Sequence, residues 1–326
     1  FKVKNGILPT SYQEGLGTTV SAVEGYALGA ASYDSKSFSV GSQATSPQEA
    51  VFNADGTKMY VCCFSTDSTY QYSLSTAWDV STASYDSVSL NTSSEIGAPY
   101  GLDFKSDGTK LYVLDGINDA IHQYSLSTAY DLSTASYDSV SFSVTSQASG
   151  PTGVTFKPDG TQMYVSDQSA DSAFQYTLGT AWDISTASYA SKSASFSSET
   201  ANPTGLTFSS TGSTLFVVEN TSDRVLQYSL STAWDLSTAS YSSVSFSVSS
   251  QEANPVGVVF GDSGTKMYIT GNSTGDAVYQ YSTVLVTNTL DLSTGSVFDL
   301  TPTSDAQVTL SNPAASGTVS QATLLL

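Results

Sequence analysis

The chain sets 10 basic against 29 acidic residues over 326 positions, a net charge of −19, with 39% apolar and 12% charged residues. That charge repels nucleic-acid phosphates and an anionic membrane surface. No apolar run approaches the roughly 18 residues that cross a bilayer, so neither nucleic acid nor membrane insertion is expected. Serine and threonine supply about 30% of the chain, a bias that favours solvent-facing β structure over helix.

In chain order, residues 1–25 read as a short arm. The sequence opens at Phe1 without an initiator methionine or signal-peptide pattern, so the natural start is expected upstream or removed. Tyr33 to Val40 reads as a lone outer strand. A repeat then takes over. Gly56, Gly108, Gly160, Gly212 and Gly264 step by 52 residues, as do Pro47, Pro99, Pro151, Pro203 and Pro255, and the tyrosines from Tyr33 to Tyr241. Each copy reads as four strands: the Gly153 to Phe156 type, then, past an Asp-Gly turn, the Lys110 to Val113 type. Next come the alternating Ala120 to Leu126 type and the Tyr137 to Val144 type, where Val140, Phe142 and Val144 alternate with serines. Four strands in about 50 residues make a propeller blade. The copies stop after a third strand near Val278 to Ser282. Tyr33 to Val40 is therefore expected to complete the last blade and remove the open edges. The expected fold is all-β: a five-bladed β-propeller of 52-residue blades over 26–283, with the arm 1–25 and a small C-terminal β module, 284–326. Its three terminal leucines suggest that the chain continues.

Cys62 and Cys63 are adjacent, cannot readily meet disulfide geometry, and read as small apolar residues ending a strand. Free thiols fit a protein that folds in a reducing cytosol. The single histidine, His122, shares its slot with Tyr70, Phe174, Leu226 and Tyr279, which makes it a packing residue and leaves a Ser-His-Asp arrangement without a base. Asp55, Asp107 and Asp159 read as turn residues, and Asp79, Asp131, Asp183 and Asp235 as caps of the third-to-fourth connection. Asp103 reads as the one acid on a first strand, opposite Thr155, Thr207 and Val259 in the other copies. A lone aspartate lacks the placed partner that acid–base catalysis needs, so no catalytic residue is assigned and the chain is expected not to be an enzyme.

The candidate binding residues lie in the loops between second and third strands: Asp67, Asp119, Asp171, Asp223 and Asp276, with Asp115, Asp167 and Glu219 four residues earlier in three copies. A ring of carboxylates offers oxygen ligands to calcium. No loop motif with several ligands at short spacing is present, so turn capping is the favoured reading and no cofactor is assigned. Tyr26, Trp78, Tyr130, Trp182 and Trp234 read as packing anchors before each outer strand rather than as platforms for sugars.

The string Gln227 to Tyr241 resembles the repeat of propeller domains in virion proteins of tailed marine bacteriophages. Phe1 to Gly6 is similar to the start of structural and fibre proteins of the same phages. Leu290 to Gly295 and Ser311 to Thr318 are similar to a small β module of their tail fibres. The resemblance implies a non-enzymatic virion protein, assembled in the host cytoplasm, whose ring presents repeated shallow pockets to a host-surface glycan or protein. It also implies virion partners through the arm and module, and a homo-oligomer in the particle. Two alternatives stay open: a structural decoration protein of the virion, and a secreted bacterial propeller lectin outside or on the cell.

Overall fold

The computed structural model of the protein describes residues 20–273, 275–291 and 306–311. Blade 1 is formed by Pro47–Phe52, Lys58–Cys63, Ser68–Leu74 and Ala83–Asn91, each antiparallel to the next. The same four strands recur in blades 2, 3 and 4, which begin at Pro99, Pro151 and Pro203. Blade 5 takes Pro255–Gly261, Lys266–Gly271 and Ala277–Ser282 from the end of the repeat and Ser32–Ser39 from its start. Tyr33 stands opposite Tyr281 and Phe38 opposite Val278, so the expected closure is present. The first strands are innermost and touch in cyclic order, blade 5 against blade 1. No helix among the described residues is long and apolar enough to cross a membrane.

Local sequence explains the elements. The Asp-Gly turn needs a residue at positive φ, and Gly56 supplies it at 70°. Each outer strand starts two or so residues earlier than alternation alone suggests, because it carries a bulge. In blade 2 the register slips between Tyr137 and Val140, where Ser139 turns to φ 59°.

Blades adhere through aromatic pairs. Tyr60–Phe104, Tyr112–Phe156, Tyr164–Phe208, Phe216–Phe260 and Tyr268–Phe52 pack with ring centroids 4.3–4.6 Å apart and so span all five junctions. Each such buried ring stabilises the fold by about 1.5–3 kcal/mol. Buried glutamines add a polar tie: the side-chain oxygens of Gln71, Gln123, Gln175 and Gln280 accept from the backbone N–H of Leu132, Ile184, Leu236 and Val80. Outside the ring, Val20–Glu24 pairs antiparallel with Leu285–Asp291, which pairs parallel with Ala306–Ser311. The arm and the C-terminal module thus share one sheet. Expectations for residues 1–19, 292–305 and 312–326 lie outside the described residues.

Candidate functional site

The strand directions give the ring two ends. The Asp-Gly turns lie at one, and the proline-led connections and second-to-third loops lie at the other. At the second end, the mouth, is an open cavity of about 200 Å³. Each blade contributes the residue after its proline: Gln48, Tyr100, Thr152, Thr204 and Val256. Gln168, Asn202, Asn220 and Asn254 add a wall of amides, and no lining residue is charged. The amides form a chain in which Asn202 Nδ2 donates to Asn220 Oδ1 at 3.2 Å, and Asn220 Nδ2 donates to Asn254 Oδ1 and, at 2.9 Å, to the Pro255 carbonyl. Asn202 Oδ1 and Thr204 Oγ1 are buried without a partner. Unsatisfied buried polar groups are rare enough to call for an explanation, and a polar ligand in the cavity would pair with them.

Just beneath the mouth, glycine recurs at Gly101, Gly153, Gly205 and Gly257 because the inner strands converge. A Cβ on Gly205 would sit 2.9 Å from the Gly257 Cα, and one on Gly101 would sit 3.0 Å from the Val154 nitrogen. In blade 1 the same slot holds Glu49. Its carboxyl fills the space left by Gly257, where a Cβ would come within 2.7 Å of Glu49 Oε1. Glu49 is 5% exposed and Oε1 has no hydrogen-bond partner. Burial, reinforced by the charge of Asp103, pushes its carboxyl well above the usual carboxylate range.

Two residues further along the inner strands, the same side of the sheet carries Val51, Asp103, Thr155, Thr207 and Val259. Asp103 Oδ1 accepts from the Phe104 N–H at 2.7 Å, and Oδ2 accepts from the Phe156 N–H at 2.9 Å and the Thr155 hydroxyl at 3.1 Å. It latches blade 2 to blade 3. Burial outweighs these three donors and raises its pKa to about 6. Two carboxyls with raised pKa values therefore share the channel, Glu49 through burial and the charge of Asp103, and Asp103 through burial. This corrects the expectation that Asp103 is the one acid on a first strand. Sequence reasoning missed Glu49, although aligning it with the four glycines of its slot would have exposed it.

His122 is 8% exposed and faces Val113 across the sheet. Neither ring nitrogen has a partner, and Nε2 lies 4.0 Å from Asp115 Oδ2. Burial lowers its pKa, consistent with a neutral packing residue.

The loop carboxylates predicted as binding candidates organise their own loops. Asp67, Asp119, Asp171, Asp223 and Asp276 adopt left-handed φ of 39–51°. Their carbonyls accept the amides of Thr92, Val144, Phe196, Val248 and Val40. Asp115 accepts from the N–H groups of Gly97, Ile117 and Asn118, Asp167 from those of Gly150 and Ala170, and Glu219 from those of Thr221 and Ser222 and from Arg224. Among the described residues no group of three or more His, Cys, Asp or Glu is placed to hold a metal ion.

These features define a closed five-bladed propeller with an uncharged polar cavity at its mouth, above a pair of acids on the first strands. The chain belongs to the lactonase, 7-bladed β-propeller family, whose model matches residues 41–240, though it builds five blades. No curated protein matches it in sequence. Solved structures similar to it include a functionally unknown protein from Desulfotomaculum acetoxidans, with 11% identity, TM-score 0.43, and coverage of 69% of this chain and 62% of that one. A candidate 6-phosphogluconolactonase from Bacteroides uniformis has 11% identity, TM-score 0.45, and coverage of 72% and 69%. A nidogen/laminin complex has 16% identity, TM-score 0.45, and coverage of 69% and 72%.

The family match overturns the expectation of a non-enzymatic protein, because the family is named for an enzyme. The physical reason is Glu49, which shares the channel with Asp103. With Asp103 alone the channel lacked unequal acids, and with Glu49 it has them.

Proposed function

We propose that the mouth binds and hydrolyses a neutral lactone of a polyhydroxylated acid, with Glu49 as its proton donor. The observation that carries the reading is the Glu49 carboxyl, buried against Gly257 with Oε1 unpaired, one residue along the strand from the Gln48 that lines a cavity of hydroxyls and amides. Membership in a lactonase family supports the choice of a cyclic ester. The substrate is neutral because anions find no partner. The eight Lys and Arg side chains of the described residues are Lys36, Lys58, Lys105, Lys110, Lys157, Lys192, Arg224 and Lys266, and each is ion-paired.

In the reaction, water attacks the lactone carbonyl and the ring C–O bond breaks. Glu49 gives its proton to the departing ring oxygen and recovers one from the attacking water, so the product is the open hydroxy acid and the enzyme is unchanged. A carboxylic acid held neutral at pH 7 by its surroundings can act in this way. Asp103 is a positioning residue, whose charge helps raise the pKa of Glu49.

The test is opening of glucono-δ-lactone, followed by pH-stat titration at pH 6 against the spontaneous rate. Acceleration by the wild-type chain, lost in Glu49→Gln at an unchanged melting temperature, is the expected result. No acceleration with any neutral aldonolactone overturns the proposal.

A further inference from the structure

Beside the cavity the mouth has an apolar shelf. Phe64 is 39% exposed and Ile117 61% exposed, and they are the large hydrophobic side chains that stand exposed among the described residues. Tyr100 joins Phe64 to the cavity, which it lines. Its ring meets Phe64 edge-on, with centroids 5.7 Å apart at 65°. Tyr100 also lies against Gly116, where a Cβ would come within 2.3 Å of the ring, so the absence of a side chain at 116 lets the ring settle there. Ile117 sits over Gly97, whose Cβ would be 3.6 Å from it.

The shelf departs from the repeat. The Phe64 slot holds Gly116, Gln168, Asn220 and Asn272 in the other blades, and the Tyr100 slot holds Gln48, Thr152, Thr204 and Val256. Exposed apolar side chains that adjoin a binding cavity are a recognised mark of ligand contact. Here the apolar sector faces a sector of hydroxyls and amides across one mouth. A pyranose ring has the matching chemistry, with C–H groups on its face and hydroxyls around its edge. The ion-pairing of every described Lys and Arg leaves the ligand neutral.

We infer that Phe64, Tyr100 and Ile117 form a second subsite that takes a neutral sugar ring linked to the lactone in the cavity. The inference rests on the lactonase reading of the mouth and sharpens its substrate to an oligosaccharide whose reducing end is a lactone. Such a compound arises by two-electron oxidation of the reducing-end hemiacetal, so a sugar oxidation must supply it. Hydrolysis then yields the open aldonic acid of the oligosaccharide.

Two measurements test this. The first compares kcat/KM for the lactones of cellobiose and lactose with that for glucono-δ-lactone, in the wild-type chain, Phe64→Ala and Ile117→Ser. A preference of about tenfold for the disaccharide lactones, or about 1.4 kcal/mol, falling towards one in both variants, is expected. Equal values in the wild type, or an unaltered preference in the variants, overturn the shelf while leaving lactone hydrolysis standing. The second is calorimetric titration with cellobiose and lactose themselves. Binding weakened by Phe64→Ala supports the shelf even if no lactone is turned over. No binding of either sugar, together with no preference among lactones, overturns it.

Discussion

The two ends of the ring are made from the same 52-residue unit and follow opposite rules. At the Asp-Gly end the repeat is kept. Tyr26, Trp78, Tyr130, Trp182 and Trp234 adopt φ of 61–65° and cover the glycines Gly264, Gly56, Gly108, Gly160 and Gly212. Each donates its backbone N–H to the carbonyl of the glycine it covers. At the mouth the repeat is broken, with one glutamate among four glycines, one aspartate where the other first strands carry threonine or valine, and an aromatic shelf facing a wall of amides. Five equal blades need five equal joints, whereas a site that separates acid from base and apolar from polar needs inequality. Stability is concentrated where the copies agree, and chemistry where they differ.

Substitutions that force the two ends to behave alike test this contrast. The largest effect is expected from Gly205→Ala, which would press a Cβ onto the Gly257 backbone and cost about 3 kcal/mol in urea denaturation. The reverse change, Glu49→Gly, restores the repeat, and its denaturation midpoint is expected to hold or rise because an unpartnered buried carboxyl is removed. Lactone turnover by that variant is expected to vanish. Trp182→Ala should also cost about 3 kcal/mol by denaturation, yet leave kcat/KM within about twofold, since its ring covers Gly160 at the far end.

A smaller effect concerns pH. Asp103 titrates near 6 in the folded chain against 3.8 unfolded. Between those values the native state holds a proton that the unfolded chain has released, so stability falls as pH rises from about 4 to 6. The loss is on the order of 2 kcal/mol. Asp103→Asn is expected to flatten that slope in urea midpoints measured across the window. Phe64→Ala has the smallest expected effect on the fold, within about 0.5 kcal/mol, because its ring is partly solvated.

Much of the fold was legible because periodicity encodes it. The five-fold register of proline, glycine and tyrosine announced blades, and a surplus first strand with a missing last one announced how the ring closes. Slot comparison also read His122 as packing. Asp79, Asp131, Asp183 and Asp235 were legible as caps, and each accepts the N–H of the serine two residues on. The site was harder to read. Glu49 is hard to read because its slot lies two residues before that of Asp103 and the four glycines sharing the slot read as strand composition rather than as close contact. The shelf joins Phe64 of blade 1 to Tyr100 and Ile117 of blade 2, a neighbourhood that no single repeat contains. The sheet shared by Val20–Glu24, Leu285–Asp291 and Ala306–Ser311 brings together segments outside the repeat, where no register announces a partner.

The most direct test of the contrast between the ends is a two-dimensional amide NMR titration with cellobiose, a neutral disaccharide that is not consumed. The account predicts shifts at Tyr100, Asn202, Asn220, Asn254 and Ile117, with the indole signals of Trp78, Trp182 and Trp234 unmoved. Shifts at the indoles with a silent mouth would contradict it, because the working end of the ring would then be the one where the repeat is kept.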